Sequence, residues 1–143
     1  MEICLPINPK EIPSAQQKEV SSRYGRTFIF QNKRAKAMRK RLGELVKLIA
    51  GETLEAPAYV FAVEYIYLRK KLKRSLYGKP RTESPDLDNI TKLLQDAITD
   101  SKVAWSDDRL VSTTVQRKRW ANPDKGEVPC VRIRIEEDLC ELT

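Results

Sequence analysis

The sequence predicts an α+β fold, a small mixed β-sheet carrying two helices, in the order β-β-α-β-α-β-β. Three features predict it. Tyr59 to Leu68 alternates two sets of residues that are both largely apolar, the pattern of a central strand covered on both faces. Asn32 to Ala50, and a stretch from about Pro85 or Asp88 to Ser101, place apolar residues at three- and four-residue steps, as helices that bury one stripe do. Two β-rich runs near the C-terminal end flank the turn cluster Asn122-Pro123-Asp124-Lys125-Gly126, which predicts a hairpin. The 143 residues, 41% of them apolar, fit a single domain spanning 1–143.

Taken in order, Glu2 to Ile7 reads as a short strand that Pro6 and Pro9 bring to an end. Residues 8–22 are polar and irregular. Arg26-Thr27-Phe28-Ile29-Phe30 has the β-branched and aromatic content of a strand. In the first helix Ala35, Met38, Leu42, Leu45, Val46 and Ile49 make the stripe, and Gly51 is the stop. Residues 69–85 form a long basic loop, a kind of segment that is either functional or mobile. Ile90, Leu93, Leu94, Ala97 and Ile98 are the stripe of the second helix. A turn at Ser106-Asp107-Asp108 leads into a strand from Leu110 to Trp120, and Pro129 to Ile135 is the last strand. Both helices are expected on one face of the sheet. Trp105 and Tyr65 read as core residues.

Lysine and arginine number 27 against 20 acids, a net charge of +7, which directs attention to polyanions. Nucleic acid comes first; an anionic membrane is the rival, but no apolar run is long enough to span a bilayer. Met1-Glu2-Ile3-Cys4-Leu5-Pro6 lacks the pattern of a signal peptide, so a cytoplasmic location is expected. Cys4, Cys130 and Cys140 are far apart and form no CxxC pair, which argues against structural zinc and for reduced, half-buried thiols. The chain has no histidine. That excludes a Ser-His-Asp triad, a Cys-His dyad and a histidine base, so hydrolysis here needs a metal, carboxylates or lysine.

Against this basic background stands an acidic group: Asp86-Leu87-Asp88-Asn89, then Lys92, then Asp107-Asp108. Asp86 and Asp88 straddle a helix start, Lys92 lies one turn beyond Asp88, and a strand opening at Asp107-Asp108 is expected beside that helix end. Two unit charges about 4 Å apart repel by roughly 4 kcal/mol at an effective dielectric of about 20. A divalent cation turns that repulsion into attraction, and oxygen ligands suit Mg²⁺, with Mn²⁺ as a substitute. Each acid also has a plain structural reading. Ser84-Pro85-Asp86 is a good helix start, Asp88 with Lys92 an ordinary helix ion pair, and Asp107-Asp108 a turn.

Pro85-Asp86-Leu87-Asp88-Asn89-Ile90-Thr91-Lys92, then Asp96-Ala97-Ile98, then Ala104-Trp105-Ser106-Asp107-Asp108, resembles the signature of the RusA family of Holliday junction resolvases. The resemblance implies a Mg²⁺-dependent endonuclease, bacterial or phage-encoded. It would act as a homodimer that nicks two strands of like polarity symmetrically across a four-way DNA junction, in recombination and repair. Matched by position, Asp86, Asp88 and Asp108 would be the metal-binding catalytic acids and Lys92 a catalytic lysine, with Asp107 and Asp96 in supporting roles. Two departures stand out. Arg109 replaces the glutamine usual after the aspartate pair, and an N-terminal motif survives only as Pro13-Ser14.

The basic loop before the motif, with Arg69, Lys70, Lys71, Lys73, Arg74, Lys79 and Arg81, is the expected DNA contact. The basic half of the first helix (Lys33, Arg34, Lys36, Arg39, Lys40, Arg41) and the run Arg117-Lys118-Arg119 are further candidates. The alternatives are a non-catalytic nucleic-acid-binding protein, in which the acids only cap helices and turns, and a DxD enzyme of nucleotide-sugar chemistry, which leaves the basic loop without a purpose.

Overall fold

A computed structural model describes the backbone of residues 1–13, 18–23, 26–31 and 33–140, and the side chains of 1–13 and 33–140. The fold is α+β. The main sheet is organised about β4 (Tyr59–Tyr67). On one side β6 (Cys130–Glu137) pairs with it antiparallel, and on the other β5 (Val111–Trp120) pairs with it parallel. β1 (Glu2–Leu5) adds antiparallel to β6, so the strand order is β1-β6-β4-β5. β2 (Lys18–Arg23) and β3 (Arg26–Gln31) form a separate two-stranded ribbon. The helices are α1 (Lys33–Ala50) and α2 (Leu87–Ser101).

Several expectations are corrected here. Residues 8–22 are not irregular throughout. β2 makes a third strand before α1, and backbone pairing with β3 sustains it although KEVSSR lacks an apolar alternation. β5 and β6 do not form a hairpin, because β4 lies between them. Parallel strands cannot be joined by a tight turn, so the chain returns from the end of β4 to the start of β5 through α2.

Both helices lie on one side of the sheet. Tyr59, Phe61, Val63 and Tyr65 of β4 share one core with Leu42 and Val46 of α1 and Leu94 and Ile98 of α2. The predicted stripes are the buried faces, except that Leu45 is half-buried and Ile49, in the last turn of α1, reaches solvent. α1 meets α2 at Gly43, where a Cβ would stand 3.2 Å from the Ala97 carbonyl oxygen; this close approach explains a glycine inside a helix. Trp105 and Tyr65 are fully buried, and the Tyr65 hydroxyl pairs with Thr91 Oγ1 at 2.8 Å. The cysteines are free; Cys130 is buried, whereas Cys4 and Cys140 are exposed rather than half-buried.

β4 is not covered on both faces. Its other face carries Val60, Ala62 and Glu64, all half-buried beside an arginine network instead of a third layer, and only Ile66 at its end is buried, in a small cluster with Ala121 and Cys130. Glu64 pairs with Arg117, with Arg119 at 3.1 Å and with Arg132 at 3.7 Å, and Arg119 also bonds Glu127 at 2.6 Å. A carboxylate at the centre of that face draws the arginines of its two neighbouring strands, and the charged surface needs no further cover.

The network has a pH consequence. The Arg119 hydrogen bond holds the Glu127 carboxyl down at about 2, against an ordinary 4.5. A carboxyl depressed by folding contributes stability above its ordinary value and loses it as pH falls toward its folded one. Denaturant midpoints should therefore fall between about pH 4.5 and 2, and Glu127→Gln should flatten that decline without changing it above pH 6.

Candidate active site

The segment leading to the first acids is pinned at several points. Its 3-10 turn (Arg74–Leu76) is followed by a single β-bridge between Pro80 and Arg119 on the outer edge of β5. There Trp120 N–H donates to Lys79 O at 2.9 Å and Arg81 N–H donates to Lys118 O at 3.1 Å. The Arg81 guanidinium stacks 3.9 Å from the centre of the Tyr67 ring. Lys118 Nζ donates to the carbonyls of Glu83 at 2.6 Å and Pro85 at 2.7 Å, the last two anchors before Asp86. Burial and Arg81 push the Lys118 ammonium below its ordinary value, and Asp86 opposes them.

Asp86 holds the N-cap position of α2 with extended backbone (φ −67°, ψ 147°), yet its carboxylate makes no capping bond. Asp88 follows in the first turn. No hydrogen bond or ion pair engages the carboxylates of Asp86 and Asp88 or the ammonium of Lys92 among the described residues, and all three residues are exposed. The helix thus starts two residues later than the Ser84 cap and Pro85 first position expected of Ser84-Pro85-Asp86, with no side-chain capping bond, and the expected Asp88–Lys92 ion pair is absent among the described residues. The partial positive charge at the start of α2 favours both carboxylates and an incoming anion.

The later acids sit elsewhere. Trp105 holds their turn: it packs edge-on against Tyr59 and Phe61, with ring centres 5.7 and 5.5 Å away, and its Nε1–H donates to Thr99 Oγ1 at 2.8 Å. Asp107 caps a 3-10 turn (Asp108–Leu110) by accepting from Arg109 N–H at 2.9 Å, and pairs with the Arg109 side chain at 3.5 Å. Asp108 is exposed and engages no described partner. Asp96 lies 3.9 Å from Arg39, which is bonded to Asp100 at 2.6 Å.

The expected meeting of Asp108 with Asp86 and Asp88 does not occur within one chain. β5 runs parallel to β4, so Val111 stands beside Tyr59 and Lys118 beside Tyr65. Asp108 is therefore at the start of β5, near the end of α2, whereas Asp86 is near Lys118. Seven strand residues at about 3.3 Å each put these ends roughly 20 Å apart. Among the described residues no group of three or more His, Cys, Asp or Glu side chains is gathered to hold one ion. The electrostatic crowding anticipated from the sequence is accordingly relieved within a single chain.

The basic segment divides into two sets. Arg69 pairs with Glu83 at 3.1 Å, Arg74 with Asp124 at 2.9 Å, and Arg81 is stacked and largely buried. Lys70, Lys71, Lys73 and Lys79 are exposed and have no ion-pair partner among the described residues. Arg117, Lys118 and Arg119 are engaged within the fold, so they are not the free patch their run suggested. Lys118 as an anchor of the Asp86 segment was hidden in that run; its half-buried strand position was the only local signal. Of the faint N-terminal motif, Ser14 lies outside the described residues.

No individual curated protein matches the chain. The endodeoxyribonuclease RusA family profile matches residues 6–136, from just after β1 to one residue short of the end of β6, and so takes in Asp86, Asp88, Lys92, Asp96, Asp107 and Asp108. That span is nearly the whole chain, and it contains the pinned Asp86 segment, α2 and the Trp105 turn: this protein belongs to the RusA endodeoxyribonuclease family.

Proposed function

We propose that the chain is a Mg²⁺-dependent, structure-selective endonuclease that resolves Holliday junctions by paired symmetric nicks in recombination and repair, leaving 5′ phosphate and 3′ hydroxyl ends. The observation that carries this reading is the pair of unengaged carboxylates, Asp86 and Asp88, held at a positive helix end on a protein of net charge +7. The donor set fits a hard divalent ion, which takes one or two protein carboxylates and fills its shell with water and substrate phosphate. Asp86 and Asp88 are the residues that would hold it; once bound, it supplies an activated water and neutralises charge on the phosphate. Lys92, exposed one turn beyond Asp88, stabilises the negative charge that grows on the phosphate as the strand breaks. The exposed lysines 70, 71, 73 and 79 grip phosphates without reading bases, which suits a branched substrate.

The separation of Asp108 from Asp86 fits a homodimer. A twofold pairing would bring Asp108 of the partner subunit to the start of α2, and would make two composite sites related by the same axis as the paired nicks.

With Mg²⁺, a four-way junction labelled on each strand is expected to be cut at symmetry-related positions, while linear duplex of the same sequence stays whole. A junction that is retarded in a gel but never cut would favour the non-catalytic nucleic-acid-binding alternative.

A further inference from the structure

Beside the Asp86 segment lies a small cavity of about 170 Å³, lined by Lys10, Tyr67, Arg69, Arg81, Glu83 and Trp120 among others. We infer that it is a receptor for one phosphate of the DNA strand, with Lys10, Arg81 and Tyr67 as the donors. This rests on the endonuclease reading and adds a subsite to it.

Two residues of the cavity wall hold donors with nothing to donate to. Tyr67 Oη and Arg81 Nε are buried without a hydrogen-bond partner. Such groups normally cost a fold stability, so sites that keep them have a use for them. Burial pushes the Tyr67 phenol up from its ordinary value, which keeps it a neutral donor. Lys10 is exposed and its ammonium has no partner among the described residues. Three cations line the cavity against one carboxylate, that of Glu83, and this carboxylate is already engaged by Arg69 at 3.1 Å. Arg81 Nε stands 4.0 Å from the same group, too far for a hydrogen bond, while Nη1 donates to the Glu83 carbonyl at 3.0 Å and holds the guanidinium in place. Three cations and an unpartnered hydroxyl set against one carboxylate that is already paired favour an anion.

The aromatic rings indicate phosphate rather than base. Tyr67 and Trp120 are 3% and 5% exposed, and guanidinium groups already lie over both: Arg81 at 3.9 Å from the Tyr67 ring centre, Arg69 at 4.7 Å from that of Trp120. A base has no free ring to stack on. Position agrees with this reading. Glu83 is three residues before Asp86, at most about 10 Å of chain. At about 3.4 Å of rise per nucleotide, the phosphate bound here lies within about three steps of the bond to be cut.

The test is binding of a four-way junction without divalent metal, so that cleavage plays no part. Tyr67→Phe removes only the unpartnered hydroxyl. It should leave the melting temperature unchanged or raised and weaken junction binding about tenfold. Lys10→Met should lower the slope of log affinity against log salt by about one. Either variant binding with wild-type affinity and salt slope would overturn the inference, as would a Tyr67→Phe protein that melts lower, since the hydroxyl would then have a partner in the fold. A wild-type protein that binds the junction but never cuts it sinks only the endonuclease reading, which sets the two failures apart.

Discussion

Mixing two inactive variants of this protein is expected to restore DNA cutting. Asp88→Asn alone should lower junction cleavage by about a thousandfold or more, since it removes an oxygen ligand from the site that would carry the ion and leaves the exposed lysines proposed to bind DNA untouched. Asp108→Asn alone should do the same while binding persists. In a dimer with composite sites, a mixed pair places both defects in one site. The other site then has Asp86 and Asp88 from the Asp108→Asn subunit and an unaltered Asp108 from its partner. Co-expressed with distinguishable tags and purified as the mixed pair, the two proteins should nick one strand of the junction and leave its symmetry mate intact. The parallel pairing of β4 and β5 is what suggests this experiment, because it holds the two acidic turns at opposite ends of one sheet. A site built within one chain has no such rescue: each subunit of the mixed pair would carry a broken centre. A mixed pair as inactive as either parent would therefore exclude the composite arrangement, and persistence of full activity in Asp88→Asn would exclude this acid from the chemistry.

That test turns on something local sequence does not carry. The stripes of α1 and α2 were legible because a helix repeats its burial every three or four residues, and Leu42, Val46, Leu94 and Ile98 are buried where the pattern puts them. β4 was legible as a strand, but not as one with an open face, since Val60 and Ala62 look like core residues until Glu64 is seen to gather arginines from β5 and β6. The order of strands was not legible at all. Asn122 to Gly126 is a turn whether the strands on either side pair with each other or stand either side of β4. The same gap misplaced Asp108: the spacing between two acidic motifs says how much chain joins them, while the direction of β5 decides where that chain ends. β2 escaped notice because it is held by backbone pairing and lacks an apolar alternation. In the site, the idle state of Asp86 and Asp88 was not readable either, for the residue types that cap a helix are also those that bind a metal. Only the absence of the capping bond at Asp86 separates the two uses.

Trp105→Ala is expected to be the most damaging single change in the core. The side chain is fully buried, touches Tyr59 and Phe61 edge-on, and satisfies its one N–H on Thr99. Truncating a buried tryptophan costs about 3–5 kcal/mol. A domain of this kind has only about 5–15 kcal/mol in total, so a fall in melting temperature of roughly 10 °C or more should follow. Trp105→Phe separates the two parts of the loss. It keeps a ring against Tyr59 and Phe61 but leaves Thr99 Oγ1 without its donor, and should cost nearer 1–2 kcal/mol. The consequence for activity follows from what the tryptophan holds. It ties the turn before Asp107 and Asp108 to the end of α2 and to the first half of β4, so loosening it should free Asp108 while the Asp86 segment, anchored through Lys118, stays in place. Assayed well below its melting point, the Ala variant should bind a four-way junction nearly as well as wild type and cut it more slowly. Equal losses in binding and cutting would mean instead that the damage had spread through the sheet to the Lys118 end.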